Sequence, residues 1–268
     1  MLRCWFLVGA LLLAGCGGKG RTKPPAAGTA ANDFAGGFVE IDFGEEESAL
    51  EEMGGSELFA ATAECGDLLK LETAAIIGQL SEAQIRCLED LIRSSDRQTV
   101  KDKISRVMLN DAWAKGDEHR WEGIARRHLE QIDRSDPDMC YRFAYYLVER
   151  GPDKMDEALK WAQVALDNRA LWEGDLHVKR VYSLMKIRTL AAQRKWNWLE
   201  SEYTRKPDEE LLEEAKEARN QTKTLAREWL EYAKDSGSDI TFPLEICRSA
   251  AGTGDFCEGT DEEVAAPG

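Results

Sequence analysis

The sequence predicts an all-α protein whose helices stack as antiparallel pairs. Apolar residues recur at helical spacing over residues 57–235, and capping residues and glycines interrupt these runs at short intervals. No stretch of this region shows the pattern of a buried strand. Helices joined by short turns pack as antiparallel neighbours. Hydrophobic residues make up 43% of the chain, which is enough for a packed core.

A predicted export signal precedes the helical region. Arg3 is followed by an uncharged apolar run over residues 4–13, which is shorter than the roughly 20 apolar residues of a membrane-spanning helix. The run ends in Leu13, Ala14, Gly15 and Cys16. This ending resembles the lipobox of bacterial lipoproteins. The resemblance implies that residues 1–15 are removed, that the Cys16 thiol receives diacylglycerol, and that its amine receives an acyl chain such as palmitate.

The lipobox resemblance also implies a location in the cell envelope. Two or three acyl chains give lasting attachment, because each buried methylene contributes roughly 0.8 kcal/mol. Gly17 follows the cysteine where Asp would favour the inner membrane. We therefore expect an outer-membrane anchor with the protein facing the periplasm.

The composition of residues 16–56 predicts a flexible, acidic tether. Gly, Ala, Pro, Lys and Thr dominate its first half, and acidic residues dominate from Glu40 onward. Residues 38–43 (FVEIDF) carry aromatic and β-branched side chains in partial alternation. This segment is either a strand that adds to another protein or to the body, or an unstructured apolar patch.

Start and stop signals divide the helical region. Ser81 caps one helix, Gly116 ends another, and Asp136 followed by Pro137 starts a third. Leu68, Leu69, Leu71, Ala75 and Ile76 form the apolar stripe of the first helix. Gly78 breaks this stripe, and the next helix follows the cap at Ser81. The later predicted helices run from Asp96 to Gly116 and over residues 121–132, 141–150, 153–168, 175–194 and 208–234.

Residues 141–170 resemble one tetratricopeptide repeat, a helical hairpin of roughly 34 residues that stacks into an α-solenoid. The residues at the packing positions of such a repeat are Ala144, Leu147, Gly151, Ala158, Ala162 and Ala165. The spacing between Gly151 and Ala158 is longer than in the family, and Ala170 stands near the place of its terminal proline. Flanking units match less well. The alternative is a helical bundle with an alanine-rich seam.

The cysteines fit an oxidising compartment such as the periplasm. Cys247 and Cys257 are close in sequence and are the first candidate disulfide. Cys65 with Cys87 is the second candidate pair, which leaves Cys140 as a buried, unreactive thiol. No CxxC spacing occurs and the chain has 3 histidines, so we expect no metal site.

The last segment, residues 236–268, is predicted to be an extended tail. Ile240, Phe242, Leu244 and Ile246 alternate with other residues, which favours an extended conformation. The predicted disulfide loop and an acidic stretch follow.

Catalytic motifs are absent from the sequence. The sequence contains no GxSxG nucleophile motif, no HExxH zinc motif and no GxGxxG after a predicted strand. We therefore expect that the protein is not an enzyme and needs no cofactor. Cys140 and His128 lie near a common turn, but core packing of the thiol and a surface imidazole explain them better than catalysis. Asp136 belongs to an acidic cluster that helix capping explains better than calcium binding.

The net charge and the aromatic residues of the chain indicate which classes of partner it could bind. A formal net charge of −15 and a pI near 4.8 argue against nucleic-acid binding. The chain has 8 tryptophans, most of which we expect in the core. Trp196 and Trp198 are two positions apart on a predicted helix, so one of them is a candidate binding residue on the surface.

These observations favour a non-enzymatic scaffold that is anchored to the membrane and binds other envelope proteins. Lipoproteins with tetratricopeptide repeats serve in assembly machines of Gram-negative envelopes, and this resemblance supports the expectation only at the level of fold. The alternative is an envelope lipoprotein that binds or cleaves cell-wall glycan, which would need a cleft carboxylate with a raised pKa. A periplasmic spacer without a binding surface is the third possibility.

Overall fold

A computed structural model of the chain describes residues 55–172, 174–252 and 255–258, and these residues form α-helices without any β-strand. The prediction of an all-α fold is confirmed. The predicted signal peptide, Cys16 and most of the tether lie outside the described residues. In chain order the helices are α1 (Gly55–Thr62), α2 (Leu68–Ile76), α3 (Glu82–Ser94), α4 (Gln98–Ala114), α5 (Glu118–Arg127), α6 (Pro137–Val148), α7 (Met155–Asp167), α8 (Gly174–Arg205), α9 (Glu209–Asp235), α10 (Thr241–Ala251) and α11 (Asp255–Glu258).

Helices that follow one another in the sequence pack in pairs. The pairs are α4 with α5, α6 with α7, and α8 with α9, and α7 also packs against α8. At the beginning of the described chain, α2 and α3 both pack on α4. At its end, α10 packs on α9 and carries the short α11. Consecutive pairing follows from the short connections, which leave each helix its chain neighbour as the nearest packing partner.

The predicted caps form local hydrogen bonds. Ser81 and Gln84 make a reciprocal capping box at the start of α3. The carboxylate of Asp136 accepts hydrogen bonds from the backbone of Asp138 and Met139, with Pro137 in the first turn of α6. Gly116 follows α4 with a φ of +67°, a conformation that glycine adopts without steric cost.

Small residues form the packed seam of α6 and α7. Gly151 lies in the turn that connects these helices. The five predicted seam residues on the helices have no exposed surface: Ala144, Leu147, Ala158, Ala162 and Ala165. Alanine allows two helix backbones to approach closely, so larger side chains at these positions would force the helices apart. The predicted packing role of these residues is consistent with their complete burial.

An aromatic cluster fills the space between α5, α6 and α7. The ring centroids of Trp121 and Tyr146 are 4.8 Å apart, and those of Phe143 and Trp161 are 6.2 Å apart. Trp121 and Trp161 are almost fully buried. Tilted aromatic pairs at these distances contribute about 0.5–1.5 kcal/mol each beyond the burial of their area.

Both predicted disulfides are present. Cys65, in the turn after α1, is bonded to Cys87 of α3. Cys247 of α10 is bonded to Cys257 of α11. Cys140 is free and buried, as predicted.

The prediction of an extended segment after Gly237 is wrong. This part of the chain forms α10, which buries Pro243, Ile246, Cys247 and Ala250 against α9. These residues recur at helical spacing, whereas Ile240 and Phe242 stay exposed. A short run of four alternating apolar residues is compatible with either a helix or a strand. Packing against α9 stabilises the helix.

Two further predictions about the helices need correction. The helix predicted over residues 175–194 continues to Arg205, because Trp196 and Leu199 extend its buried face against α9 and α10. The apolar stripe assigned to α2 is only partly buried. Leu69 and Ile76 are 52% and 50% exposed and lie on a side of α2 that faces solvent.

The structure also bears on membrane crossing. None of the helices in the part of the chain that the structure describes has both the length and the apolar character needed to span a bilayer.

The alanine seam predicts a specific sensitivity to side-chain volume. Ala162→Leu inserts a larger side chain between α6 and α7 and should lower the free energy of unfolding by about 1–3 kcal/mol. Gln163→Leu, at the neighbouring exposed position, should change it by less than about 0.5 kcal/mol. Urea denaturation followed by circular dichroism measures both. Equal effects of the two substitutions would contradict a close-packed seam.

Candidate interaction surface

Every residue of α6 is buried or partly buried, and Tyr141 and Tyr145 are among the partly buried ones. Phe143, on the opposite side of the helix, has no exposed surface, and Ala144 and Leu147 are also fully buried. Arg142 lies next to them and is also partly exposed. We call Tyr141, Arg142 and Tyr145 the tyrosine strip. Tyrosine and arginine are over-represented among the residues that dominate binding energy at protein interfaces.

Helix α8 borders the tyrosine strip. A hydrogen bond joins the side chains of Tyr141 and Ser183. Arg194 donates to the carboxylate of Glu149 at 2.9 Å, and Arg180 forms an ion pair with Asp138. These contacts hold α8 beside α6 along the length of the strip. A partner that contacts the tyrosines would therefore also meet residues of α8.

The electrostatic surroundings keep Tyr145 in its neutral form. Burial raises the pKa of Tyr145 to about 12, and the negative charge of Glu149 adds to this effect while Arg194 opposes it. The hydroxyl is protonated at neutral pH, as for any tyrosine. The ring of Tyr145 gives a partner apolar surface to contact.

A buried polar network lies behind the start of α6. His128, in a π-helical turn at the end of α5, is fully buried. Its Nε2 is 3.0 Å from Oδ2 of Asp136, and its Nδ1 is 2.6 Å from Oγ of Ser105 on α4. The network thus joins α4, the π turn and α6. Single π turns inside helical segments are often found at functional sites, which makes this network a candidate for chemistry.

A serine, a histidine and an aspartate in contact resemble the components of a nucleophilic catalytic site. The Ser105 hydroxyl, however, donates to the carbonyl oxygen of Asp102 at 2.8 Å. Ser105 is 1% exposed, and His128 has no exposed surface. A nucleophile must reach its substrate. The burial of Ser105 and His128 prevents this in the present arrangement.

The same network brings together potential metal ligands. Ligand atoms of Asp102, His128 and Asp136 lie within 4.8 Å of one another. Arg106 already occupies this group: its Nη2 is 2.6 Å from Asp136, and its Nε is 3.1 Å from Asp102. A guanidinium in this position supplies the positive charge that a metal ion would otherwise provide. The donor set therefore fits a structural ion-pair network better than a metal centre.

Asp136 is the most connected residue of this network. Burial raises the pKa of its carboxyl group, but the hydrogen bond from His128, the charge of Arg106 and the backbone N–H of Met139 outweigh burial. The resulting pKa lies below its usual range. The carboxylate is therefore ionised at neutral pH and can both cap α6 and hold His128 and Arg106.

The structure separates the two tryptophans predicted as candidate binding residues. Trp196 is 7% exposed and packs with Leu199 and Ala215, so it belongs to the core. Trp198 is 40% exposed and is the member of the pair that a partner can reach. Trp113, at the end of α4, is a further exposed tryptophan at 47%.

The interpretation of His128 as a surface imidazole is wrong. His128 lies in the π turn, is fully buried, and contacts Ser105 of α4 and Asp136 at the start of α6. The sequence contains no pattern that predicts such a turn. Burial raises the pKa of Cys140 to about 12, with the charges of Asp136 and Asp133 adding to the effect. This thiol is therefore unreactive at neutral pH. The helix-capping role predicted for Asp136 is confirmed.

Sequence reasoning also missed the tyrosine strip. Its signal was available, since Tyr141 and Tyr145 are four residues apart on the side of the helix opposite Phe143.

Comparisons of the chain with protein-family models, with curated proteins and with solved structures find no match.

The lowered pKa of Asp136 predicts a pH-dependent stability. A group whose pKa is depressed in the folded state stabilises the fold above its unfolded pKa of about 3.9 and loses this contribution as the pH falls through the folded value. Asp136→Asn should cost about 1–3 kcal/mol at pH 7, because it removes the charge that pairs with Arg106. The difference from the wild type should shrink as the pH falls below about 4.

Urea unfolding at a series of pH values measures this difference. Asp90→Asn is the matched control, because Asp90 forms an ion pair with Arg93 at the surface, where both side chains are more than half exposed. It should leave the stability profile nearly unchanged. Parallel profiles for the wild type and Asp136→Asn would contradict the assigned role of the carboxylate.

Proposed function

We propose that this chain is a lipid-anchored, non-enzymatic scaffold of the bacterial cell envelope that binds another envelope protein through the face formed by α6 and α8. The observation that carries the proposal is the tyrosine strip, Tyr141, Arg142 and Tyr145, on a helix whose opposite side is fully buried. Rigid aromatic side chains on a packed helix bind with little loss of conformational entropy.

The chemistry of this face favours a protein partner. Tyr141 and Tyr145 offer apolar ring surface, and Arg142 adds a planar cation. Arg180 and Arg194 of α8 extend the polar border on one side. A mixture of aromatic anchors with charged borders is typical of non-obligate protein interfaces. The net charge of −15 disfavours nucleic acid as a partner, since the phosphate backbone would be repelled.

The proposed anchor is Cys16, on the strength of the lipobox resemblance. Both disulfides, Cys65–Cys87 and Cys247–Cys257, are consistent with export, because disulfides persist in the periplasm and are rare in the cytosol. An outer-membrane anchor facing the periplasm would hold the scaffold and its partner at the membrane. No cofactor is required for such a role.

The tetratricopeptide-like arrangement of α6 and α7 is part of the same proposal. In a stack of helix pairs, the first helix of each pair contributes to one common face. Helices α4, α6 and α8 are the first helices of their pairs. Arg106 of α4 reaches Asp136 at the start of α6, and α8 contacts α6 directly. These contacts support a shared face on which a partner segment would lie.

Photo-crosslinking in intact cells tests the proposal. Tyr145 is replaced by p-benzoylphenylalanine in a tagged chain, and Tyr203, a partly exposed tyrosine near the end of α8, is replaced in the control. We expect an adduct with one or a few envelope proteins at position 145 and at least several-fold less at position 203. Cys16→Ala should move the chain from the membrane fraction to the soluble fraction and reduce the adduct.

Two results would contradict the proposal. Equal labelling at both positions would mean that the α6–α8 face has no preferred partner. Absence of protein adducts, together with sedimentation of the chain with purified cell wall, would favour glycan binding instead.

A further inference from the structure

The two disulfides have very different surroundings. Cys247 and Cys257 are 0% and 2% exposed and belong to the core cluster around Trp229. Cys65 and Cys87 are both partly exposed. Thiol–disulfide exchange requires an attacking sulfur to reach one of the bonded sulfur atoms, so access to the bond limits its rate.

An open pocket of about 500 Å³ leads to the Cys65–Cys87 bond. Both cysteines line it, together with side chains from α1 and α3 and from the turn after α1: Ala61, Glu64, Ala83, Arg86, Asp90, Leu91 and Ser94. A pocket of this size admits a cysteine side chain presented by another molecule. Glu64 and Asp90 outnumber Arg86 among the charged side chains of the pocket, so access to the bond, and not a nearby cation, distinguishes this disulfide.

We propose that Cys65–Cys87 is a site of thiol–disulfide exchange with an external dithiol, such as the reduced pair of a partner oxidoreductase, and that Cys247–Cys257 is not. A thiolate of the dithiol attacks one sulfur of the bond, and the other sulfur leaves as a thiolate. The second thiol of the dithiol then displaces the protein sulfur from the mixed disulfide. The dithiol becomes a disulfide, and both cysteines of the protein become reduced.

Reduction has a structural consequence for α1. This helix has 8 residues, and its described side chains bury only Leu58 and Thr62 fully. The disulfide links the turn after α1 to α3, and α1 makes no extensive contact with any other described helix. Breaking the bond therefore leaves the backbone through residues 63–67 as the covalent connection between α1 and the remaining described helices. The paired helices α4 to α9 keep their own cores.

Differential alkylation of the full chain tests the proposal. The oxidised protein is titrated with dithiothreitol at pH 8, quenched with acid, alkylated with iodoacetamide and analysed by peptide mass spectrometry. We expect Cys65 and Cys87 to become alkylated at a dithiothreitol concentration at least about tenfold lower than Cys247 and Cys257. Cys140 is an internal control, because its buried thiol is labelled only when the paired helices open. It should stay unlabelled in the range where Cys65 and Cys87 react.

Hydrogen exchange measures the consequence for α1. Amides of residues 55–62 should exchange faster after selective reduction, while amides of α6 and α7 should keep their protection. A Cys65→Ser and Cys87→Ser double variant should show the same fast exchange in α1 without any reductant. Simultaneous reduction of both disulfides, earlier reduction of Cys247–Cys257, or unchanged protection of α1 in the double variant would overturn the proposal.

Discussion

The arrangement of the central helices depends on one buried carboxylate, that of Asp136. One of its oxygens caps the backbone of α6, and the other accepts hydrogen bonds from His128 and Arg106. A buried charge without partners is strongly destabilising, so every group around this carboxylate must stay in place. The position of α6 relative to α4 and to the turn after α5 is fixed as a result. This constraint gives the network a structural role, although its residue types resemble those of a catalytic or metal site.

The alanine seam complements this network. The network fixes where α6 begins, and Ala144, Ala158 and Ala162 fix how closely α7 approaches it. Together they bury one side of α6 completely and leave the opposite side to Tyr141 and Tyr145. The same rigidity that stabilises the fold thus holds the tyrosine strip in a constant orientation. A preorganised surface of this kind suits binding, because little conformational entropy is lost when a partner docks.

Local patterns explain why much of the fold could be predicted from the sequence. Ser81 and Asp136 predict where helices begin, because their side chains form short-range hydrogen bonds with the first helical turn. The spacing of the alanines predicts the seam between α6 and α7. Features that depend on distant residues could not be predicted in this way. The contact between Ser105 and His128 joins residues 23 positions apart and requires a π turn. The choice between Trp196 and Trp198 as the exposed residue, and between helix and strand for α10, required the position of α9. The four-residue spacing of Tyr141 and Tyr145 places them on one side of α6. The burial of the opposite side is what identifies the strip as a candidate surface.

A double-mutant cycle across His128 and Asp136 tests most directly whether the network acts as one unit. Unfolding free energies of His128→Asn, Asp136→Asn and the double variant are compared with the wild type at pH 7. If the carboxylate and the imidazole support each other, the double variant should be more stable than the sum of the single effects predicts, with a coupling energy of more than about 1 kcal/mol. Additivity within about 0.5 kcal/mol would contradict this account, because it would show that His128 and Asp136 stabilise the fold independently of each other.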